Sequence, residues 1–430
     1  MIRNHILSGI FMKFISNGLI IFVLLLVISS EATIANEINT ARQHYPTKQL
    51  FNLWKASKND KNKLYKFYSE LETKHTIETI KDEDEHVLVT YFALGGEYTD
   101  YILQSGGPDF YGLRFKQIGD SKLYFCTQRI PKDAMFIYGY NEFKRIKKEN
   151  VYITKVEHIY DGSVIGPEAP RSRYLESNVD FKPGTLETIH LDSQAFASER
   201  QISVYTPANF DDSLEHNLTI FFDARAYTGK ANQSNSWESW VPTTTILDNL
   251  IAEELIAPTI AVFVWNHYNR DEELTTRKMS QFVAYEVLDW LKENKNISNK
   301  PMNSVLVGSS RGGYAAADIA LQHADKFGKV LSQSGAFWIT NTSNENWPIY
   351  PEHEGTLLKA YKESERKKIN FYLSAGLYDL GAAIVGTNRQ FRDILKLKGY
   401  QVKHSEFKGN HAFLNWRHDL PNGLIYLIGK

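Results

Sequence analysis

Ser304-Val-Leu-Val-Gly-Ser-Ser310-Arg-Gly-Gly313 runs an apolar stretch into the pattern Gly-x-Ser-x-Gly, and Tyr314-Ala-Ala-Ala-Asp-Ile-Ala-Leu321 follows with strong helix formers. A serine lifted off a strand end on a sharp turn needs neighbours with almost no side chain, and Gly308 and Gly312 supply them around Ser310. The short pattern counts as a nucleophile elbow only between a strand and a helix, and here that context is met on both sides. The chemistry would be attack of a serine hydroxyl on a carbonyl. Such a hydroxyl needs a base, and the base needs a carboxylate to orient it, in the chain order Ser, Asp or Glu, His. Asn370-Phe-Tyr-Leu-Ser-Ala-Gly376 reads as a buried strand ending in small residues, and Asp379 stands just past its end. Asp393 and Glu406 compete for the same role, because acids are common on loops. Among 13 histidines, His411 is the one at a strand end with a glycine in the turn, in Gly409-Asn-His411. The oxyanion would be held by the backbone N–H of Arg311 and by one from the loop after Phe222, either Ala224 or Arg225.

The elements that must position these residues alternate strand with helix from about residue 183 to the end. Strands are expected over 202–205, 218–222, 260–264, 304–307, 330–332, 371–374 and 402–407, and helices over 244–254, 280–292, 313–323, 387–398 and 413–427. That alternation calls for a mostly parallel sheet with helices on both faces, an α/β-hydrolase fold. Residues 36–182 have another texture. After a helical opening over 48–72, short strands at 86–92, 111–115, 122–127 and 134–139 are broken by Gly, Asp and Asn clusters and predict an antiparallel β-sandwich. Asp161-Gly-Ser-Val-Ile-Gly-Pro-Glu-Ala-Pro170 reads as a linker closing that domain.

Composition excludes several classes of function. The 430 residues are 43% hydrophobic and 13% aromatic, so two cores can be buried without low-complexity or disordered bias. A net charge of −1 argues against nucleic acid or a polybasic membrane contact. Residues 1–35 read as a signal peptide: Arg3 and Lys13 precede the apolar run Leu19 to Ile28, and small residues follow around Ala32 and Ala35. Met12 offers an alternative start. A run of about ten residues is far short of the ~20 that span a bilayer, so no stable membrane anchor is expected and the protein should be periplasmic or secreted. The single cysteine, Cys126, allows neither an internal disulfide nor a lipid anchor at the cleavage site. No cofactor is called for, and no metal: His411 and His418 lie on a turn and a helix at a poor ligand spacing.

The chain resembles the esterase family that contains the bacterial enterochelin esterases. The likeness rests on Ser304 to Trp338 with its Ser332-Gln-Ser-Gly335-Ala-Phe-Trp338, on Gly409-Asn-His-Ala-Phe-Leu-Asn-Trp416-Arg417, on Val241 to Glu253, and on Arg270-Asp-Glu-Glu273-Leu274, and it covers everything from about residue 186. The resemblance implies an immunoglobulin-like domain ahead of the hydrolase, and a small-molecule ester substrate, a ferric catecholate siderophore. Three departures sit near the expected rim: Arg311 after the nucleophile, Thr275-Thr-Arg277 after Leu274, and Asp223-Ala224 where the family usually has Asp-Gly. An anionic catecholate complex would need cations, and Arg225, Arg270, Arg311 and Arg417 are placed to supply them, with Trp416 beside the histidine as a further substrate contact. Trp237, Trp240 and residues 265–268 could line a ring pocket or belong to the core. The same fold and triad would serve a carbohydrate acetyl or feruloyl esterase equally well. A third reading, of another class, is a non-catalytic binding protein on a degenerate hydrolase scaffold.

Overall fold

The computed structural model describes residues 36–108, 112–148, 151–178, 180–208, 210–229, 241–267, 269–340 and 353–430. The expected signal segment, together with Tyr111, Trp237, Trp240 and Tyr268, lies outside the described residues. The chain makes two compact units interleaved in sequence. The first takes residues up to Ile102, Arg114–Arg129 and Glu142–Lys155, and the second Leu103–Leu113, Ile130–Asn141 and Val156–Lys430.

Seven strands come first: β1 (His75–Ile80), β2 (Glu83–Leu94), β3 (Thr99–Ser105), β4 (Lys116–Gln117), β5 (Leu123–Pro131), β6 (Met135–Lys148) and β7 (Val151–Ile165). In the first unit they form a four-stranded sheet of order β1-β2-β5-β4, while β3, β6 and β7 make a three-stranded sheet of order β3-β6-β7. The helical opening splits into Lys48–Ser57 and Asn62–Glu70, because the Asp60 carboxylate accepts from Asn62 N and turns the chain between them. Both helices bury one leucine, Leu50 or Leu64, against Phe92, Leu123 and Phe125 of the sheet. Residues 112–115 hold only a single-residue bridge where a strand was expected. Asp161 to Ile165 complete β7 instead of starting a linker, so the break falls at Gly166-Pro167.

The second unit is built on β8 (Thr185–Ser193), β9 (Ser198–Thr206), β10 (Asn217–Phe222), β11 (Thr259–Val264), β12 (Ser304–Ser309), β13 (Lys329–Gln333), β14 (Asn370–Gly376) and β15 (Gln401–Phe407). Their order is β15-β14-β13-β12-β10-β11-β9-β8. The six strands from β15 to β11 pair in parallel, and β9 and β8 are added antiparallel at one edge. Strands β10, β11 and β12 are buried along nearly their whole length and mostly apolar, because both faces are covered. Successive side chains go to opposite cores: Ile220, Val262 and Leu306 pack under the helices that include Arg311–Gln322 and Thr387–Leu397, whereas Phe221, Phe263, Val305 and Val307 pack under Thr243–Ala252 and Phe413–Ile428. The one helix expected over 280–292 is three pieces, Arg277–Gln281, a π-helical turn Phe282–Val287, and Leu288–Asn294.

Candidate active site

Ser310 leaves β12 with φ 56° and ψ −122° and caps the helix Arg311–Gln322. The sequence accepts this turn because nothing bulky surrounds it. A Cβ on Gly308 would lie 2.3 Å from the Gly312 carbonyl carbon, and one on Gly312 would lie 3.1 Å from Asp223 Oδ2. Gly308→Ala is therefore expected to destabilise the protein by about 1–3 kcal/mol and to remove activity, measured by denaturant midpoint and ester turnover. Retained stability and turnover would show that the turn can relax. Ser310 N donates to Gln333 O at 2.9 Å and Ala336 N donates to Ser310 O at 3.0 Å, which laces the elbow to the turn after β13. Three neighbouring strands, β10, β12 and β13, end in non-glycine residues with left-handed φ: Asp223 at 64°, Ser310 at 56° and Ser334 at 50°. Backbone strain of this kind persists only where surrounding contacts over-determine it.

His411 follows β15, and its Nδ1 lies 2.8 Å from Asp379 Oδ1, with Asp379 buried. Two backbone bonds hold these strand ends together, Leu377 N to Phe407 O at 2.8 Å and Tyr378 N to Gly409 O at 2.9 Å. The competing acids are engaged elsewhere on the surface: Asp393 with Arg392 at 2.7 Å and Glu406 with Arg389 at 2.6 Å. Asp379 is thus the acid that meets the histidine. The His411 ring stands edge-on to Trp416, with centroids 4.9 Å apart, and the Trp416 indole N–H donates to Ser334 Oγ at 3.0 Å. Ser334 belongs to the same turn that is bonded to Ser310, so the tryptophan ties the imidazole to the segment that holds Ser310. With only 3% of its surface exposed, Trp416 offers its ring to the histidine.

The expected oxyanion donors sit on two adjacent chain segments. Arg311 opens the helix after the elbow, where the first N–H groups have no intrahelical partner. Ala224, buried, and Arg225, exposed, follow the left-handed Asp223 at the end of β10. The cations expected on the rim have partners. Arg270 forks onto Asp223, Nε to Oδ1 at 2.6 Å and Nη2 to Oδ2 at 2.7 Å. Burial opposes the Arg270 charge, but Asp223 and Asp271 outweigh it and raise the guanidinium pKa. Arg311 Nε lies 3.2 Å from Asp271 Oδ1, and its guanidinium is 5.9 Å from the Trp338 ring centroid; burial lowers its pKa, Asp271 opposing and Arg270 adding to the effect. Arg417 is half-buried, which lowers its pKa. Trp265 packs with the core and donates its indole N–H to Ser203 Oγ at 2.9 Å.

His418 does not join His411: its Nδ1 accepts from Ser172 N at 2.9 Å, and burial first, then the Arg417 and Arg171 charges, push its pKa down to about 4. Its folded pKa lies below the unfolded value near 6.5, so its contribution to stability is complete above that value and is lost as pH falls towards 4. Denaturant midpoints should accordingly fall less between pH 6.5 and 4 in His418→Gln than in the wild type; parallel curves would remove this assignment. Among the described residues, no group of three or more His, Cys, Asp or Glu is placed to hold a metal. Ser334 and Asp271 join the site without a role having been named for them; their sequence signal was membership in the two motifs Ser332-Gln-Ser-Gly335 and Arg270-Asp-Glu-Glu273. Asn266 falls within 265–268, read as a possible ring pocket, but it donates to Asp223 instead.

A mixed sheet with helices on both faces, a serine elbow on a central strand and an Asp–His pair on the flanking strand ends define an α/β-hydrolase-type fold. Residues 193–427 match the family model Esterase, described as "Putative esterase", and because the match covers more than half of the chain, the protein belongs to that family. It is 25% identical over 280 residues to the iron(III) enterobactin esterase of Dickeya dadantii (strain 3937), covering 61% of this chain and 60% of that protein. To the iron(III) enterobactin esterase of Escherichia coli (strain K12) it is 28% identical over 207 residues, 44% of this chain and 47% of that protein. The chain thus spans about half to three fifths of the length of these curated relatives. Among solved structures, enterochelin esterase from Shigella flexneri matches with a TM-score of 0.65 at 18% identity, over 84% of this chain and 97% of that one. That likeness carries the fold, and the resemblance read from the sequence is borne out.

Proposed function

We propose that the protein is an exported serine esterase that hydrolyses the ester bonds of a catecholate siderophore through an acyl-enzyme. The observation that carries this reading is the buried Asp379 paired with His411 at strand ends beside the Ser310 elbow, within a chain of the esterase family. Ser310 Oγ attacks the ester carbonyl while His411 Nε2 takes its proton, and Nδ1–H stays on Asp379, which fixes the tautomer and supports the imidazolium. The oxyanion is received by the N–H of Arg311 and one from Ala224 or Arg225. His411 returns its proton to the leaving alkoxide, the acyl group remains on Ser310 Oγ, and a water deprotonated by His411 releases the acid. The enterobactin esterase relatives support a siderophore-like ester as substrate. Export to the periplasm or beyond rests on residues 1–35; among the described residues no helix is long and apolar enough to cross a membrane. An immunoglobulin-like domain over 36–182 belongs to the same reading, supported by the antiparallel pairs β1–β2 and β4–β5.

A second reading, a carbohydrate acetyl or feruloyl esterase, is favoured by one observation: Arg270 and Arg311 are matched by Asp223 and Asp271, which reduces the pull on an anionic ligand. Turnover of a ferric tricatecholate ester against feruloyl and acetyl sugar esters separates the two. The siderophore reading expects kcat/KM at least about tenfold higher for the tricatecholate, a preference of ~1.4 kcal/mol in the barrier. The reverse preference would install the second reading, and no turnover of any ester would leave a binding protein.

A further inference from the structure

The turn Arg270–Glu273 sends three side chains to three different parts of the hydrolase unit. Glu273 faces Arg200 on β9 in a two-pronged pair, Nη1 to Oε1 at 3.1 Å and Nη2 to Oε2 at 2.7 Å, and also accepts from His267 N at 3.1 Å. Only 2% of the Arg200 side chain and 13% of that of Glu273 is exposed, so this pair fixes the turn to the sheet in a place where salt screens weakly. Asp271 Oδ1 lies between Arg270 Nη1 at 3.1 Å and Arg311 Nε at 3.2 Å. Arg270 grips both oxygens of Asp223, and Asn266 Nδ2 donates to the same carboxylate.

Asp223 is the residue on which this converges. It is buried, holds a left-handed φ of 64° that a non-glycine residue adopts only under constraint, and immediately precedes Ala224 and Arg225. Its Oδ2 rests against Gly312, in the first turn of the helix that Arg311 opens. Both segments expected to supply oxyanion N–H groups are therefore tied to one ion-paired turn: the strand end at Asp223 through Arg270, and the elbow helix through Asp271 and Arg311. A guanidinium spent on two carboxylate oxygens has little left for a ligand, whereas a buried carboxylate that lost its fork would force the loop to move.

We propose that Arg270–Glu273 is a brace that sets the spacing of the oxyanion-binding backbone, with Arg270, Asp271 and Asp223 as positioning residues that act without touching substrate. This inference rests on the serine esterase reading of Ser310. It predicts that Arg270→Gln lowers kcat about 10²-fold, the typical cost of a ~1 Å misplacement, with KM changed less than about twofold on both a neutral nitrophenyl ester and an anionic one. Arg270→Lys, which keeps the charge and loses the fork, should recover only a small part of the rate. Affinity for an arylboronic acid should fall in step with kcat, because its tetrahedral adduct, formed when Ser310 Oγ adds to boron and His411 takes the proton, places an oxygen where the oxyanion stands. Asp271→Asn removes one limb of the brace at a half-exposed pair and should lower kcat about three- to tenfold, which keeps the test alive if Arg270→Gln does not fold. A KM that rises on the anionic ester alone, with kcat and boronate affinity intact, overturns the brace and makes Arg270 a substrate cation. Full activity in Ser310→Ala would instead remove the reading beneath it, a distinct outcome.

Discussion

Ser310→Ala is expected to reduce kcat for a neutral nitrophenyl ester about 10⁶-fold, leaving a residual rate about 10³-fold above water from binding and the oxyanion site alone. The loss is this large because the covalent route disappears as a whole: without Oγ, His411 has no proton to move and Asp379 no imidazolium to support. The fold should be unaffected. Ser310 contributes to packing chiefly through its backbone, N to Gln333 O and O from Ala336 N, and alanine keeps both bonds. An unchanged melting curve beside lost turnover is the expected pair of results. Loss of less than about tenfold would place the nucleophile elsewhere.

The second large effect is expected at the acid. Asp379→Asn should lower kcat about 10⁴-fold near neutral pH, because an amide can present N–H to His411 Nδ1, move the imidazole proton to Nε2, and so remove the acceptor that Ser310 needs. The geometry makes the position sensitive: Asp379 is buried, meets Nδ1 at 2.8 Å, and among the described residues its Oδ2 has no hydrogen-bond partner, so its charge is directed at the imidazole. Asp393→Asn and Glu406→Gln each break an exposed arginine pair and should change kcat by less than about twofold. If either proved the sensitive position, the Asp379 role would fall.

Ser310, Asp379 and His411 could be named from the sequence as proposed nucleophile, acid and base because each stands where a strong local rule meets chain order. The elbow needs small neighbours, and the strand ends at 376 and 407 are marked by glycines. Central strand positions in the hydrolase unit followed from short, mostly apolar runs, which a sheet covered on both faces requires, and the edge strand β15 from its alternation. What failed to show was whatever depends on partners distant in sequence. Arg270 looks like a rim cation until Asp223, 47 residues earlier, turns up in its fork. Trp416 looks like a substrate contact because it follows His411, but the helix Phe413–Ile428 turns it inward onto the imidazole and Ser334. β8 went unseen because as an exposed edge strand it buries little and carries mostly polar residues. The π-helical turn at Phe282–Val287 leaves no mark in a pattern of apolar residues read at helical period.

Labelling with an alkyl fluorophosphonate tests the Ser310–His411–Asp379 assignment most directly. The serine oxygen displaces fluoride from phosphorus only where a base removes its proton and an oxyanion site receives the phosphoryl oxygen. A single adduct mapped by mass spectrometry to the peptide containing Ser310, with ester turnover lost in proportion and labelling abolished in His411→Ala, is the predicted result. An adduct on another residue, or undiminished turnover after Ser310 is fully labelled, would contradict it.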